Sequence, residues 1–298
     1  MTIDASLLLR AAADAAGTQQ YPAAALYVVA TPIGNLADLS LRAIHVLALA
    51  DAIACEDTRH SAPLLRHLGL DKPLVAVHEH NERAAAPAVL ARLARGERVA
   101  YVSDAGTPGL SDPGAALVAA VREAGLRVLP IPGASAALAA LSIAGDTRAD
   151  AFRFAGFLPA KAGERAAALE ALLRGPDAQI IFEAPHRIEA LCRAVGDAAP
   201  ARRVTLCREL TKQFETIVTL PASALCGWLA EDANRLRGEF VLVVHAAEVA
   251  AEADAEQHDA TLRTLLAALP LKQAVALAVQ LTGAPRNALY ERALDLKT

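Results

Sequence analysis

Short apolar runs rich in valine, isoleucine and leucine alternate with longer alanine-rich segments in the first half of this chain. The short runs have the length and composition of buried strands, whereas the longer segments are amphipathic and favour helices. Strands that alternate with helices in this way are typical of βα units and of a mostly parallel sheet. The predicted strands are residues 26–30, 52–55, 74–77, 99–102 and 127–131.

The pattern changes after residue 146, where predicted strands follow one another with fewer helices between them. This spacing favours a second lobe with a more mixed sheet. Its predicted strands are residues 152–155, 179–182, 204–207, 216–220 and 240–244. The chain is therefore expected to be an α/β protein of two lobes, residues 25–147 and 148–246, preceded by a poorly ordered leader of residues 1–24.

Two further segments follow the lobes. Residues 247–257 are acidic and alanine-rich without the pattern of a core, and we predict a linker there. Residues 258–298 predict three short helices, 261–269, 271–281 and 286–294, and turn-forming residues join the last two, as in a helix-turn-helix. This tail has five Lys/Arg and three Asp/Glu residues. Two interpretations of it stay open, a small packing module or a contact with RNA or DNA.

Composition narrows the class of protein. Of the 298 residues, 54% are hydrophobic and 21% are charged, which is typical of a globular chain. A net charge of −4 gives no overall attraction to nucleic acid, so such binding would need a local patch. The four cysteines are widely spaced, which argues against a disulfide framework or a structural zinc site. The sequence has no basic signal-peptide region, and prolines interrupt its one long uncharged span. We expect a cytoplasmic protein without membrane contact.

A glycine-rich loop, residues 103–114 (SDAGTPGLSDPG), lies between a predicted strand and a predicted helix. In α/β folds this order brings bare backbone close to a ligand. Asp112 is expected to cap the helix and Pro113 to occupy its first position. The loop contains no G-x-G-x-x-G, and Ala115 rather than lysine follows Gly114. These departures exclude the common dinucleotide and P-loop motifs.

Polar loops follow most of the other predicted strands too. They are TPIGNL (31–36), EDTRH (56–60), HEHNE (78–82), PGASA (132–136), EAPHR (183–187) and RELTK (208–212). Because ligands gather at the carboxyl ends of strands in α/β sheets, these loops predict a cleft. His78, His80 and Glu82 also suggest metal ligands, but their spacing matches no strong metal signature and a hydrogen-bonded rim is preferred. A serine hydrolase is disfavoured because no G-x-S-x-G is present.

The loops resemble a known family. Residues 25–245 are similar to the tetrapyrrole methylase superfamily, whose two α/β lobes bind S-adenosylmethionine in the cleft between them. Within it, the chain resembles the methyltransferases that modify small-subunit ribosomal RNA. The strings that carry the resemblance are VATPIGNLADLSLRA (29–43), EDTRHS (56–61), HEHNE (78–82), SDAGTPGLSDPG (103–114), IPGASA (131–136), GFLP (156–159), EAPHRI (183–188) and RELTKQFET (208–216). The tail, from LPLKQA (269–274) to LYERAL (289–294), is similar to that family's helix-turn-helix.

This resemblance implies both a fold and an activity. The fold would be the two-lobed tetrapyrrole-methylase type with a cofactor cleft between the lobes and a small helical tail. The activity would be S-adenosylmethionine-dependent methylation of the ribose 2′-hydroxyl of cytidine 1402 in 16S rRNA of the small ribosomal subunit, by a homodimer. Tetrapyrrole-modifying relatives carry a G-G-D-P type loop where this chain has residues 104–108, which argues against a porphyrinoid substrate. A tetrapyrrole methyltransferase and a non-catalytic RNA-binding factor remain as alternatives.

The resemblance and the chemistry together predict which residues form the site. Eight are expected around the cofactor: Pro32, Asp104, Ala105, Gly106, Ser135, Ala136, Ala184 and Leu210. A ribose hydroxyl is a weak nucleophile, so a base beside it would help, and Glu183 and His186 are the candidates. Six residues are candidates for RNA contact: Arg59, His80, Arg187, Lys212, Arg286 and Arg292. No metal site is expected.

Overall fold

The computed structural model describes residues 4–247, 258–284 and 286–296, with the backbone alone at residue 287. The chain divides into two compact units: Met1–Leu173 with Asp177–His245, and Arg174–Pro176 with Ala246–Thr298. Among the described residues, no helix has the length and apolar character needed to span a bilayer. All four cysteines are free thiols.

The first sheet of the larger unit is parallel throughout. Its strands are β1 (Ala25–Val29), β2 (Ala52–Cys55), β3 (Leu74–Ala76), β4 (Arg98–Val102) and β5 (Arg127–Ile131), in the order β3-β2-β4-β1-β5. The helices of this lobe are α1 (Ala5–Ala16), α2 (Leu41–Leu49), α3 (Thr58–His67), α4 (Glu82–Ala94), α5 (Ala115–Glu123) and α6 (Ala136–Ala144). Apolar side chains of α1 to α3 cover one face of the sheet, and those of α4 and α5 cover the other. Coverage of both faces explains why the strands are nearly continuous apolar runs.

The amino-terminal segment differs from the prediction. Residues 5–16, within the expected poorly ordered leader, form α1, and the carboxylate of Asp4 caps it by accepting from Ser6 N at 2.9 Å. Ala12 is fully buried in a hydrophobic cluster that also contains residues of α2. Small alanine side chains let the two helices pack, and Leu8 and Leu9 of α1 pack against the same cluster.

The second sheet is mixed. Its strands are β6 (Phe152–Phe157), β7 (Ala178–Glu183), β8 (Arg203–Arg208), β9 (Thr216–Pro221) and β10 (Phe240–Val244), in the order β6-β7-β10-β8-β9. Only β6 and β7 pair in parallel, and the other neighbours are antiparallel. The helices are α7 (Ala162–Leu173), α8 (Ile188–Ala198) and α9 (Leu225–Ala230). The free face of the sheet packs against α6 through Ala137 and Ala140, which joins the lobes. The predicted strands and the contrast between the two sheets are confirmed.

The described part of the smaller unit contains three helices, α10 (Asp259–Ala268), α11 (Leu271–Thr282) and α12 (Arg286–Asp295). They bury a core of their own, formed by Leu262, Val275, Ala278, Leu289 and Ala293. Gly283, with a left-handed φ of 71°, ends α11 at the predicted turn. The three predicted tail helices are confirmed. Of the predicted acidic linker, residues 248–257 lie outside the described residues.

Candidate active site

Three loops of the first lobe meet at one edge because β4, β1 and β5 are parallel neighbours. They are residues 103–114, 31–36 and 132–135, each following the carboxyl end of its strand. An isolated antiparallel bridge joins two of them, with Thr31 N donating to Gly106 O at 2.8 Å and Gly106 N donating to Thr31 O at 3.1 Å. The bridge holds the glycine-rich loop against the loop after β1.

The second sheet contributes loops from a matching edge. Since β10 runs antiparallel to β7 and β8, its first residue, Phe240, pairs with their last residues, Glu183 and Arg208. The loops that leave β7 and β8 and the loop that enters β10 therefore lie side by side. Register alone brings these segments, far apart in sequence, to one place.

A cavity of about 400 Å³ lies between these two edges, and we call it the main cavity. Six of the eight expected cofactor residues line it: Ala105, Gly106, Ser135, Ala136, Ala184 and Leu210. Glu183, the candidate base, lines it as well. The sequence reasoning missed several other lining residues, among them Ile33, Leu110, Asp112, Phe157, Phe182 and Glu239. Four of them lie in strings that the sequence analysis singled out: Ile33 in residues 31–36, Leu110 and Asp112 in residues 103–114, and Phe157 in residues 156–159.

Small residues shape the wall of the main cavity. Gly106 has a left-handed φ of 78°, and a Cβ at that position would lie 3.3 Å from Ile33 Cγ2. Its backbone therefore approaches the cavity as no larger residue could without strain. Ser135 caps α6 by accepting from Leu138 N, so the positive end of that helix faces the cavity beside Ala136.

The opposite wall is a strained turn. Glu209 and Thr211 both adopt left-handed backbone, with φ of 53° and 66°, and they flank the buried Leu210. Such conformations cost about 1–3 kcal/mol each and persist only where the surroundings hold them. Here Glu209 N donates to Glu239 O and Glu239 N donates to Glu209 Oε1, both at 2.9 Å.

Lys212 completes that network instead of pointing to solvent. Its ammonium lies 2.9 Å from carboxylate oxygens of both Glu209 and Glu239. Its stem packs on the loop after β1, where a Cβ at Gly34 would clash with Lys212 Cγ. Lys212 therefore braces the two lobes at the cavity, a role that its prediction as a phosphate contact did not anticipate.

Asp112 does not cap α5, and that prediction is wrong. The helix begins at Ala115 with Gly114 as its cap residue, so Pro113 is also outside it. The cap comes from α4, where Glu82 Oε1 accepts from Gly114 N at 3.0 Å and from Leu117 N at 2.8 Å. Asp112 lines the main cavity instead. Burial raises its pKa to about 6, the Ser103 hydrogen bond opposes this rise, and the charges of Glu56 and Asp104 add to it.

The two candidate bases have different surroundings. The side chain of Glu183 is fully buried, and its Oε1 accepts from Ala184 N at 2.9 Å and lies 3.0 Å from Arg187 Nε. Arg187 Nη2 in turn donates to Leu158 O at 2.7 Å. This pair holds the turn after β7, so Arg187 is engaged within the unit instead of facing RNA. His186 is exposed and lines neither the main cavity nor the second cavity described next.

The remaining two expected cofactor residues, Pro32 and Asp104, line a second cavity of about 300 Å³, which we call the side cavity. Residues of α3 form its other wall, including His60 and His67. Asp104 Oδ1 accepts from Asp57 N at 3.1 Å, and Asp104 N donates to Glu56 Oε2 at 3.3 Å. These bonds tie the loop after β2 to the glycine-rich loop.

The other candidates for RNA contact are spread over both units. Arg59 has a side chain that is 87% exposed, and its hydrogen bonds to Asp57 hold the pKa of that carboxyl well below its usual range. His80 is exposed, and its ring forms a T-shaped contact with that of His78. In the smaller unit, Arg286 is exposed, whereas Arg292 forms a bidentate pair with Asp259. No group of three or more metal-ligating side chains occurs within the described parts of the chain.

Comparison with known proteins identifies the family. A model described as Tetrapyrrole (Corrin/Porphyrin) Methylases matches residues 25–226, and one described as RsmI C-terminal HTH domain matches residues 246–297. Ribosomal RNA small subunit methyltransferase I of Escherichia coli O157:H7 is 48% identical, covering 91% of this chain and 94% of its own. The Pseudomonas aeruginosa protein of that name is 49% identical, covering 92% and 98%. The chain belongs to this methyltransferase family.

Solved structures support the fold assignment. The uroporphyrin-III-C-methyltransferase of Thermus thermophilus superposes with a TM-score of 0.53 at 22% identity, over 74% of this chain and 94% of that one. The methyltransferase CobJ superposes with a TM-score of 0.56 at 21% identity, over 74% and 94%. The predicted two-lobed tetrapyrrole-methylase fold with a helix-turn-helix tail is confirmed.

Proposed function

We propose that this chain transfers a methyl group from S-adenosylmethionine to the ribose 2′-hydroxyl of cytidine 1402 in 16S rRNA of the small ribosomal subunit. Relatives named as methyltransferases of small-subunit ribosomal RNA, nearly half identical over nine-tenths of the chain, support the rRNA substrate and the methyl donor. The observation that carries the proposal is the main cavity, which gathers six of the eight residues expected around the donor.

The chemistry of the main cavity fits this donor. Phe157, Phe182 and Val241 give it apolar and aromatic walls suited to an adenine ring. Asp112, Glu183 and Glu239 are among its lining residues, and the negative charge of a carboxylate suits a sulfonium and an ammonium group. A ligand can approach the backbone of Gly106 closely because this residue has no side chain.

The donor, when bound, supplies a methyl group that is already electrophilic. The protein therefore has mainly to align the acceptor oxygen with that group and to exclude water. The bridge of Thr31 to Gly106 and the network around Lys212 hold the two walls in position. Glu183, paired with Arg187, positions the turn that carries Ala184.

The RNA contacts that we propose are the exposed cations Arg59 and Arg286 together with His80. Arg187, Lys212 and Arg292 would act indirectly, because each is mostly buried in an ion pair inside its own unit. Arg59 is also paired, with Asp57, but its side chain stays exposed. Action on ribosomal RNA also suggests a cytoplasmic protein, and the homodimer implied by the family resemblance would offer a composite surface to RNA. The cytoplasmic location and the homodimer are both parts of the proposal.

The test uses small ribosomal subunits from cells that lack this protein. The subunits are incubated with the protein and methyl-labelled S-adenosylmethionine, the RNA is digested, and its nucleosides are identified by mass spectrometry. We expect labelled 2′-O-methylcytidine at one site. Label on a base would refute the ribose assignment. No transfer, with donor binding demonstrated by calorimetry, would refute the RNA assignment and make a porphyrinoid acceptor the next to assay.

A further inference from the structure

An exposed aromatic ring lies in the wall of the main cavity. Phe157 lines this cavity, yet 56% of the residue remains exposed. Two other apolar lining residues lie deeper, since Phe182 is half-buried and Val241 is buried. Phe157 therefore stands at the open side of the cavity, where its ring contributes little to the core. An aromatic ring in that position is suited to contact a flat ligand.

A bulge in β6 turns Phe157 toward the cavity. The register of β6 on β7 shifts between Phe154 and Gly156, so the one residue between them is extra. Side chains alternate between the two faces of a strand, and residues three apart would otherwise lie on opposite faces. The extra residue instead places Phe157 on the face of Phe154. Both rings form T-shaped contacts with Phe182, at centroid distances of 5.7 and 5.1 Å respectively. Bulges that re-aim a side chain in this way are common next to active sites.

The glycine-rich loop packs on this bulge. Gly156 has a left-handed φ of 62°, and a Cβ at that position would lie 2.7 Å from Ser111 Oγ. Ser111 is itself left-handed, with a φ of 66°. Two unusual backbone conformations thus meet at one contact, and such conformations cluster at functional sites. The contact fixes Phe157 relative to the loop that brings Gly106 to the cavity.

The charge of the main cavity limits which part of an RNA can enter it. Asp112, Glu183 and Glu239 line it, and none of its described lining residues is a lysine or an arginine. Carboxylates would repel a phosphate, and no cation of the lining would compensate for its charge. A nucleobase and its ribose carry no charge, and every base has a flat face that stacks on an aromatic ring. The cavity therefore suits a base and its sugar, with the phosphates left outside.

We propose that Phe157 is the stacking platform for the nucleobase of the acceptor nucleotide. This rests on the proposed function, in which that base is a cytosine. The deeper residues Phe182 and Val241 remain for the adenine of the donor, so both substrates occupy one cavity. Stacking holds the attached ribose at the open side of that cavity. Because alignment of the 2′ oxygen with the methyl group is the main demand of the reaction, a fixed base raises the rate of transfer.

The experiment measures initial rates of methyl transfer over a range of concentrations of unmethylated small subunits, for the wild type and for three variants. We expect Phe157→Ala to lower kcat/KM for the subunits by about 5- to 150-fold, which corresponds to the loss of one stacked base. Phe157→Leu should lose nearly as much, because leucine is apolar but has no flat face. Phe157→Tyr keeps the ring and should retain most of the wild-type value. Donor affinity measured by calorimetry should be the same in all four proteins.

Phe152 provides the matched control. It lies on the same strand and is 48% exposed, but it does not line the main cavity. We expect Phe152→Ala to keep the wild-type kcat/KM. Thermal unfolding of the two alanine variants, both at exposed positions, shows whether they are equally folded. Recovery of activity in Phe157→Tyr but not in Phe157→Leu separates stacking from a structural role of an apolar side chain.

Three results would overturn the proposal. The first is a wild-type kcat/KM in Phe157→Ala or Phe157→Leu. The second is a loss of donor affinity in Phe157→Ala as large as its loss in kcat/KM, since the ring would then serve the donor. The third is a change in its molar mass by light scattering that accompanies the loss, since the ring would then serve a contact between copies of the chain. Failure of the proposed function is distinct, because the wild type itself then gives no labelled 2′-O-methylcytidine.

Discussion

At the scale of single residues, Asp112 is a carboxyl group whose protonation depends strongly on its surroundings. Its pKa is raised from 3.8 to about 6, mainly by burial in the main cavity wall. The folded protein therefore binds this proton more tightly than the unfolded chain does. Stability is unaffected below about pH 4, falls as pH rises from there to about 6, and stays lower above that by roughly 3 kcal/mol at most.

Asp112→Asn should remove this loss. We expect the variant to be more stable than the wild type by about 1–3 kcal/mol at pH 7 and to match it near pH 4. Urea unfolding at several pH values measures both. Asp14→Asn, at an exposed position on α1, is the matched control and should show no such difference. A gain for Asp112→Asn that is the same at every pH would contradict the argument.

Single residues also mark where sequence reasoning stops. Gly106 and Ala184, which the family resemblance placed around the cofactor, both line the main cavity. The roles of Lys212 and Arg187 were not, because their partners are distant in sequence: Lys212 meets Glu239, and Arg187 meets the carbonyl of Leu158. The sequence alone does not show whether the partner of a cationic side chain is a phosphate or a carboxylate.

At the scale of elements, the start of α5 depends on a residue of another helix. Glu82 at the first turn of α4 accepts from two amide groups at the start of α5. We expect Glu82→Ala to cost about 1–2 kcal/mol in chemical unfolding, because those donors lose their acceptor. Glu82→Gln should cost less, since its amide oxygen still accepts. The exposed Glu79 provides the control, as Glu79→Ala should change stability little. Equal losses for the Glu82 and Glu79 variants would refute the capping role.

Elements were predictable where their pattern is local. Every predicted strand is present because alternating or continuous apolar runs report burial directly. The helix α1 was missed because alanine gives a weak apolar signal. The α5 cap was assigned to Asp112 because the residue that supplies it, Glu82, lies 32 residues before Gly114 in the chain. Pairing register, which brings Phe240 beside Glu183, is likewise a tertiary property that no single segment encodes.

At the scale of the whole molecule, the cavity proposed for the donor and the three tail helices belong to different compact units. The main and side cavities belong entirely to the larger unit, and α10 to α12 bury their own core. The tail also carries more cations than acids, in contrast to the acidic chain as a whole. This division predicts that the tail serves the large substrate and not the small one.

Removal of residues 258–298 should therefore weaken binding to small-subunit RNA by about tenfold at 0.1 M salt and reduce the salt dependence of binding, since phosphate contacts release counterions. Donor affinity measured by calorimetry should not change. Arg286→Ala in the full chain should give part of the loss, because this exposed arginine begins α12, and Lys272→Ala on α11 tests whether the contact is confined to α12. If the truncation lowers donor affinity as much as RNA affinity, the tail is a structural module, and the phosphate contacts must come from the larger unit, where α3 beside the side cavity is the basic element in place to make them.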